Sequence, residues 1–358
     1  NSDSKRICLP FCSANLTDKK VEISGLGEKI AFVETVEGEA KSLMKKIAQL
    51  ILQKNFSKKF EKVATLGVGR FASVFKVKRI SDGKFFAAKI IPTEEDTFAS
   101  QKIDLLANEI LILCDVTGHP NIIELEEIHE TKNEVIFIQE LLQGAHVMRE
   151  NNCLNLNFLA RTLKSVLYAI QYIHSKGIVH RDLKPSNILF NSAEKSVPKL
   201  IDFGLATYFN ESSVILPRCG TSGYIAPELA IKDQKQTSNS GKSDLYSLGV
   251  MLYRHVVGSE KPQLGFEESS SEWLSYIEIR MQITGRLPMV PSLAQLLKDL
   301  LQVDVQNRLS VEEALDSDFF VEHDLGKDID ESPQINLPPA IEKSVSIARF
   351  HNDFKLLK

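Results

Sequence analysis

The sequence predicts an α+β chain, with strands concentrated before about residue 142 and helices dominating after it. Three observations carry this. Short apolar or alternating runs, Val63-Ala64-Thr65-Leu66, Phe75-Lys76-Val77-Lys78, Phe85-Phe86-Ala87-Ala88-Lys89-Ile90 and Val135-Ile136-Phe137-Ile138, have the length and pattern of strands. Apolar residues then recur at helical spacing over residues 156–175, 245–257, 273–283, 293–301 and 311–315. Between these helical stretches, His180-Arg181-Asp182-Leu183-Lys184-Pro185-Ser186-Asn187 interrupts two apolar runs, Gly177-Ile178-Val179 and Ile188-Leu189-Phe190. Asp, Lys, Pro and Asn make a poor core strand, so this insert reads as an exposed loop between buried anchors.

Composition sets the outer bounds. A chain of 358 residues with 43% hydrophobic and 25% charged residues has enough apolar surface for a large core. The net charge of -4 gives no general attraction to nucleic acid, and there is no uninterrupted apolar run of membrane-spanning length. The cysteines Cys8, Cys12, Cys114, Cys153 and Cys219 are scattered and odd in number, which speaks against a disulfide framework. Cys8 and Cys12 have no second Cys or His pair nearby to complete a zinc site. An intracellular setting, cytoplasm or nucleus, fits best. The sequence starts at Asn1 rather than Met, which reads as an excised fragment.

Taken in order, residues 1–59 form an N-terminal extension. Val21-Glu22-Ile23 and Ile30-Ala31-Phe32-Val33 read as short strands, and residues 38–56 as an amphipathic helix through Ala40, Leu43, Met44, Ile47, Leu50 and Ile51. Its apolar face either packs on the following strands or docks a regulator or the membrane surface. Next come a hairpin with Gly67-Val68-Gly69 at its tip, a turn at Ser81-Asp82-Gly83, and a helical run over 101–113 containing Glu109. Glu109 stands among Leu105, Leu106, Ile110 and Leu113, so it faces an interior and requires a partner. Residues 232–241 are a polar loop; from about residue 324 the chain is acidic, then proline-rich.

The polar insert has the groups that phosphoryl transfer needs. Asp182 is a carboxylate to accept a hydroxyl proton, Lys184 a cation for the moving phosphate, and Asn187 an amide oxygen for a metal ion. A second acid follows at Asp202-Phe203-Gly204, delivered by a short strand at Lys199-Leu200-Ile201. His180 to Asn187, followed fifteen residues after Asn187 by Asp202, resembles the catalytic core of eukaryotic serine/threonine protein kinases. Lys89, behind Ala87-Ala88 and twenty residues before Glu109, matches that family's phosphate-holding lysine and its helix glutamate.

The resemblance covers about residues 60–320. It implies the bilobal kinase fold: a small β-rich lobe with one main helix (60–142), a large mostly helical lobe (143–323), and a tail (324–358). It implies ATP and Mg²⁺, with ATP held between the lobes, protein substrates, and catalytic roles for Asp182, Lys184 and Lys89. The nucleotide-binding set carried over is Leu66, Gly67, Gly69, Val74, Ala87, Lys89, Glu109, Gln139, Glu140, Leu142, Asn187, Leu189 and Asp202, with Asn187 and Asp202 on the metal. Residues 139–144 should link the lobes. The chain departs from the pattern at Ala72, where a third glycine is usual, and at Gln139 and His146, where apolar and acidic residues are usual. Lys184 with Thr221 is the serine/threonine pairing; Glu228 should pair with Arg308, and Asp244 should brace the catalytic loop.

Pro217 stands where many relatives carry a phosphorylatable threonine, leaving Arg181 without its usual phosphate partner. Either Ser212 or Ser213 serves instead, or residues 1–60 or a partner hold the active form. The run Pro217-Arg218-Cys219-Gly220-Thr221 is similar to that of the replication-initiating cell-division-cycle kinase, with Arg218 placed to select a carboxylate or phosphate; calmodulin-dependent-like kinases are the other placement. The competing functional class is a pseudokinase-type ATP-binding scaffold, or a kinase inactive without a regulatory subunit.

Overall fold

The computed structural model describes residues 13–17, 20–25, 28–33, 52–53, 55–69, 72–93, 99–148, 155–194, 197–209, 219–230, 241–258, 276–277, 279–280 and 290–323. Contacts along the backbone divide the chain into two units. The first comprises Asn1–Cys114, Glu124–Leu141 and Ile335–Lys358; the second comprises Asp115–Ile123 and Leu142–Gln334.

The first unit begins with an antiparallel meander of β1 (Ser13–Thr17), β2 (Lys20–Gly25) and β3 (Glu28–Val33). Both short strands expected there are present. The helix expected over residues 38–56 is corrected at its C-terminal end, because β4 (Leu52–Gln53) runs parallel to β8 (Leu125–Glu130), with Leu52 opposite Ile128. Apolar residues at helical spacing also suit a sheet edge, and the edge of β8 supplied the hydrogen bonds. Residues 34–51 of that expectation lie outside the described residues.

A short helix, α1 (Phe56–Lys59), turns the chain into the main, six-stranded sheet, which has β4 at one edge and β8 next to it. β5 (Phe60–Val68), β6 (Ser73–Arg79) and β7 (Phe85–Pro92) form consecutive antiparallel hairpins, and β9 (Glu134–Glu140) lies between β7 and β8. Register shifts between Lys62 and Ala64 and between Thr65 and Gly67 add twist to the β5–β6 ribbon. Residues Val135 to Ile138 are fully buried on both faces, as a central strand requires. One core packs Phe56, Phe60, Val77, Phe86, Ala88, Ile90, Ile136 and Ile138 together, with Phe56 stacked on Phe60 at 5.8 Å. The long helix α2 (Ala99–Val116) buries Leu106, Ala107, Ile110, Ile112 and Leu113.

The second unit is mostly helical. α3 (Leu156–Ser175) has the bounds expected from its periodicity: Asn155 caps it, accepting from the Asn157 and Phe158 amides, and Leu159, Leu163, Val166, Leu167, Ile170 and Ile173 form its buried face. β10 (Ile178–Val179), a 3₁₀ turn at Pro185–Asn187, β11 (Ile188–Phe190), β12 (Pro198–Leu200) and β13 (Thr207–Tyr208) follow. β10 pairs with β13 and β11 with β12, all antiparallel. The next helices are α4 (Pro227–Ala230), α5 (Lys242–Val257), α6 (Pro291–Leu300), α7 (Val311–Leu315) and α8 (Asp318–Glu322). α5 is buried along nearly its whole length. Its N-terminus is reached through Gly241 at φ 73, where a Cβ would stand 2.7 Å from the His174 ring, so no other residue fits without displacing that ring.

Arg308 anchors α4 to the loop before α7. Its two terminal nitrogens meet the Glu228 oxygens at 2.7 and 2.9 Å, as expected, and it also donates to the Gln302 and Lys242 carbonyls. A fully buried guanidinium is tolerated because its partner and the carbonyls together satisfy it. Among the described residues no helix is long and apolar enough to cross a membrane.

Candidate active site

The predicted chemistry falls into two sets of side chains, one on each unit. On the first, β7 carries Ala87 opposite Gln139 and Lys89 opposite Phe137 and Val74, so the sheet register fixes where Lys89 emerges. Lys89 Nζ donates to Glu109 Oε1 at 2.6 Å. Glu109 is 4% exposed, and a carboxylate at that depth needs a cation close by. The two expected partners therefore meet. Glu140 closes β9 and accepts the Glu124 amide at 2.8 Å through Oε1. Gln139 and Glu140 belong to the strand, so the irregular link begins at Leu141, later than the expected 139.

The glycine hairpin stands open. Leu66 is 51% and Val68 77% exposed, an apolar surface on the strand that leads to the tip. A Cβ on Gly67 would meet nothing within 4 Å, so nothing inside the protein demands glycine there. The glycine leaves the backbone N–H approachable from outside. Gly69 donates to the Ala72 carbonyl at 2.8 Å and closes the turn, and its Cβ would lie 3.2 Å from that oxygen.

On the second unit, the loop after β10 is organised around Asp182. Asp182 Oδ1 accepts from Thr221 Oγ1 at 2.7 Å, and Oδ2 accepts from Lys184 Nζ at 2.7 Å and from Asn187 Nδ2 at 3.0 Å. Lys184 Nζ also donates to Thr221 Oγ1 at 2.7 Å, closing a small ring of bonds. Asn187 spends its amide nitrogen on Asp182, so the amide oxygen is the atom it can offer a cation. Ile201 N donates to the Asn187 carbonyl at 2.9 Å, which brings the residue before Asp202 against Asn187. Asp202 is exposed at φ 62, a left-handed conformation unfavourable for a non-glycine residue. Leu189 lies in β11, and the chain after the half-buried Leu142 runs beside that strand, with Gly144 N on the Phe190 carbonyl and Val147 N on the Ile188 carbonyl.

The expectation of an exposed loop is corrected. His180, Arg181, Leu183 and Asn187 are buried, Asp182 is 8% exposed, and Ser186 is the exposed residue of the stretch. Polar residues fold inward here because distant groups satisfy them. Asp244, fully buried on α5, accepts from the His180 and Arg181 amides at 2.9 Å each and from His174 Nε2 at 3.0 Å. Arg181 sits at φ 67, a strained backbone that these bonds hold in place. Burial alone would push the Asp244 carboxyl up. The His174 hydrogen bond and the neighbouring His174 and His180 outweigh it, so the carboxyl lies below the usual range.

Two residues of this scaffold had no structural role assigned from the sequence, although His180 opens the motif. His174 orients Asp244, and His180 Nε2 reaches the Ile201 carbonyl at 3.2 Å while its ring lies 5.1 Å from Phe203, tying the loop of Asp182 to the segment that carries Asp202. A polar residue at the end of an otherwise apolar helix face was the signal for His174. Near Thr221, the half-buried Cys219 thiol is pushed up by desolvation, with Arg181 opposing, which suits an inert thiol rather than a nucleophile. Ser212, Ser213, Pro217 and Arg218 lie outside the described residues.

The donor set suits Mg²⁺, which takes oxygen ligands, keeps several waters and is commonly held by one or two protein groups plus phosphate. Asn187 and Asp202 supply such oxygens. Among the described residues, no group of three or more His, Cys, Asp and Glu gathers into an all-protein metal site.

Comparison with known proteins agrees with this geometry. A protein kinase domain model matches residues 60–320. The probable serine/threonine-protein kinase fhkC of Dictyostelium discoideum is 30% identical over 299 residues, 78% of this chain and 48% of the relative. CBL-interacting serine/threonine-protein kinase 5 of Arabidopsis thaliana is 30% identical over 258 residues, 71% of this chain and 56% of the relative. The chain thus spans about half the length of these relatives. Among solved structures, the autoinhibited serine kinase domain of the giant muscle protein titin superposes with a TM-score of 0.59 at 25% identity, covering 75% of this chain and 82% of that one.

Proposed function

The chain belongs to the protein kinase family, and from that premise we propose that it transfers the γ-phosphate of ATP to serine or threonine hydroxyls of proteins, with Mg²⁺. The observation that carries this is the bonding of Asp182. Both of its oxygens are engaged inside one buried loop, by Lys184, Asn187 and Thr221. An incoming hydroxyl replacing the Thr221 or Lys184 contact would meet a carboxylate already fixed in direction, which is how positioning lowers a barrier.

Lys184 then turns to the phosphate undergoing transfer, and Lys89, oriented by Glu109, takes the phosphates that stay behind. The exposed Leu66 and Val68 give the adenine an apolar surface, and Gly67 admits phosphate oxygens to the backbone. Bound Mg²⁺ would neutralise charge on the phosphate oxygens, with Asn187 and Asp202 as its protein ligands. An intracellular setting goes with this proposal, consistent with five cysteines that are scattered and odd in number.

A scaffold without turnover has no observation in its favour, since the lysine, the loop aspartate and both metal-ligand candidates are all present. The metal assignment is tested by Asp202→Asn, measured for phosphate transfer to serine peptides across a Mg²⁺ titration. Transfer should fall by at least about a hundredfold. Transfer equal to the parent's would overturn the assignment.

A further inference from the structure

Arg254 lies in the last turn of α5, beside the segment that carries Thr221. Its Nη2 donates to the Gly223 carbonyl at 3.3 Å and its guanidinium stands over the Tyr224 ring at 4.5 Å. Its Nε is buried with no hydrogen-bond partner, and no carboxylate among the described residues pairs with it. Arg308 shows the contrast: that guanidinium is matched by both oxygens of Glu228. The helix end and the ring face give Arg254 only fractions of a negative charge. A guanidinium carries five N–H donors, and one long bond to a carbonyl leaves most of them for another group.

Position gives this unmatched cation a use. Gly223 has φ +87, and a Cβ there would stand 2.7 Å from Nη2, so the guanidinium presses on bare backbone. Thr221, two residues earlier, is bonded to Asp182 at 2.7 Å. Two residues span at most about 7 Å, so a peptide whose hydroxyl meets Asp182 would pass Arg254 within a few residues of the acceptor.

We propose that Arg254 is a specificity-determining residue, whose unused donors take an anionic side chain, carboxylate or phosphate, a few residues from the acceptor hydroxyl of the substrate. This rests on Asp182 being the group that positions the acceptor. Arginine suits the task because its planar fork matches both anions in bidentate fashion.

The test uses fluorescent peptides with a single acceptor serine, carrying Asp, phosphoserine, Ala or Lys at one position within three residues of it. Binding by anisotropy and phosphate transfer are measured separately on the wild-type chain, Arg254→Gln, Arg254→Glu and Arg254→Lys. The wild type should bind the Asp or phosphoserine peptide about tenfold more tightly than the Lys peptide at one or two positions, less so as salt rises. Arg254→Gln should abolish the preference, Arg254→Glu reverse it and Arg254→Lys retain part of it, with the change falling on KM rather than kcat. Comparing Asp with phosphoserine separates the two sources of negative charge.

Because Arg254 packs on Tyr224, thermal melts accompany each variant, and the wild-type preference and its salt dependence are read without any substitution. Binding needs no turnover. A preference that depends on Arg254 in a chain that transfers no phosphate would uphold anion recognition by Arg254 and count against unaided transfer, so the two failures are distinguishable. A wild type that favours Lys peptides, or an acidic preference unchanged in Arg254→Glu, overturns the proposal.

Discussion

Replacing Asp244 by asparagine removes one oxygen acceptor from a fully buried site and changes no atom that touches a substrate. Asp244 Oδ2 serves His174 and the His180 amide, and Oδ1 serves the Arg181 amide. An asparagine that keeps its oxygen toward His174 and His180 turns an NH₂ group against the Arg181 N–H, donor facing donor. Arg181, at φ 67, then loses the bond that offsets its backbone strain. One lost charge-assisted bond is worth about 1.5–3 kcal/mol and the remaining ones weaken, so destabilisation of about 3–5 kcal/mol follows. Against a typical total stability of about 5–15 kcal/mol this is large. Urea unfolding at neutral pH would show it as a lowered midpoint at constant slope. Transfer activity of the folded fraction should fall about a hundredfold, since the loop that aims Asp182 shifts. A midpoint within about 0.5 kcal/mol of the parent's would refute the bracing role. The acid limb is a second readout. The folded carboxyl lies below its unfolded value of about 3.9, so its contribution is complete above about pH 4 and is lost as pH falls through the folded value. Asp244→Asn should flatten that limb.

Further outcomes are expected elsewhere. His119 is buried, stacks on Tyr172 at 4.8 Å and accepts the Asn121 amide on Nδ1 at 3.1 Å; burial, with the Lys199 charge, lowers it from 6.5 to about 4. The unfolded chain binds the proton first as pH falls, so roughly 3 kcal/mol of stability present above pH 6.5 should be lost between there and pH 4. Urea midpoints across that range should flatten in His119→Gln, and a parent-like slope would contradict the assignment. Glu109→Gln keeps the shape but weakens the 2.6 Å contact with Lys89, so KM for ATP should rise about tenfold in steady-state kinetics. An unchanged KM would detach that pair from nucleotide binding.

How much was legible in the sequence depended on where each residue's partners lie. α3 was readable to the residue because Asn155 caps it and the apolar face is uninterrupted. Lys89 and Glu109, and Asp182, Asn187 and Asp202, could be named because the chemistry constrains residue type and spacing together. The burial of the loop around Asp182 was not legible. Its polarity is a local fact, whereas the groups that satisfy it, Asp244 and Thr221, lie 63 and 39 residues away. β4 was hidden for the same reason: two residues at the end of a helix-like stretch took a sheet edge offered by β8, far along the chain. Arg254 carries no motif, and its interest comes from what fails to face it.

Phosphate transfer by the purified chain tests the central claim most directly. Serine and threonine peptides with Mg²⁺ and ATP should be phosphorylated by the parent and at least about a thousandfold more slowly by Asp182→Asn, with ATP binding retained in the variant. Equal transfer by parent and Asp182→Asn would contradict the account, because the carboxylate around which this loop is built would then have no part in the reaction.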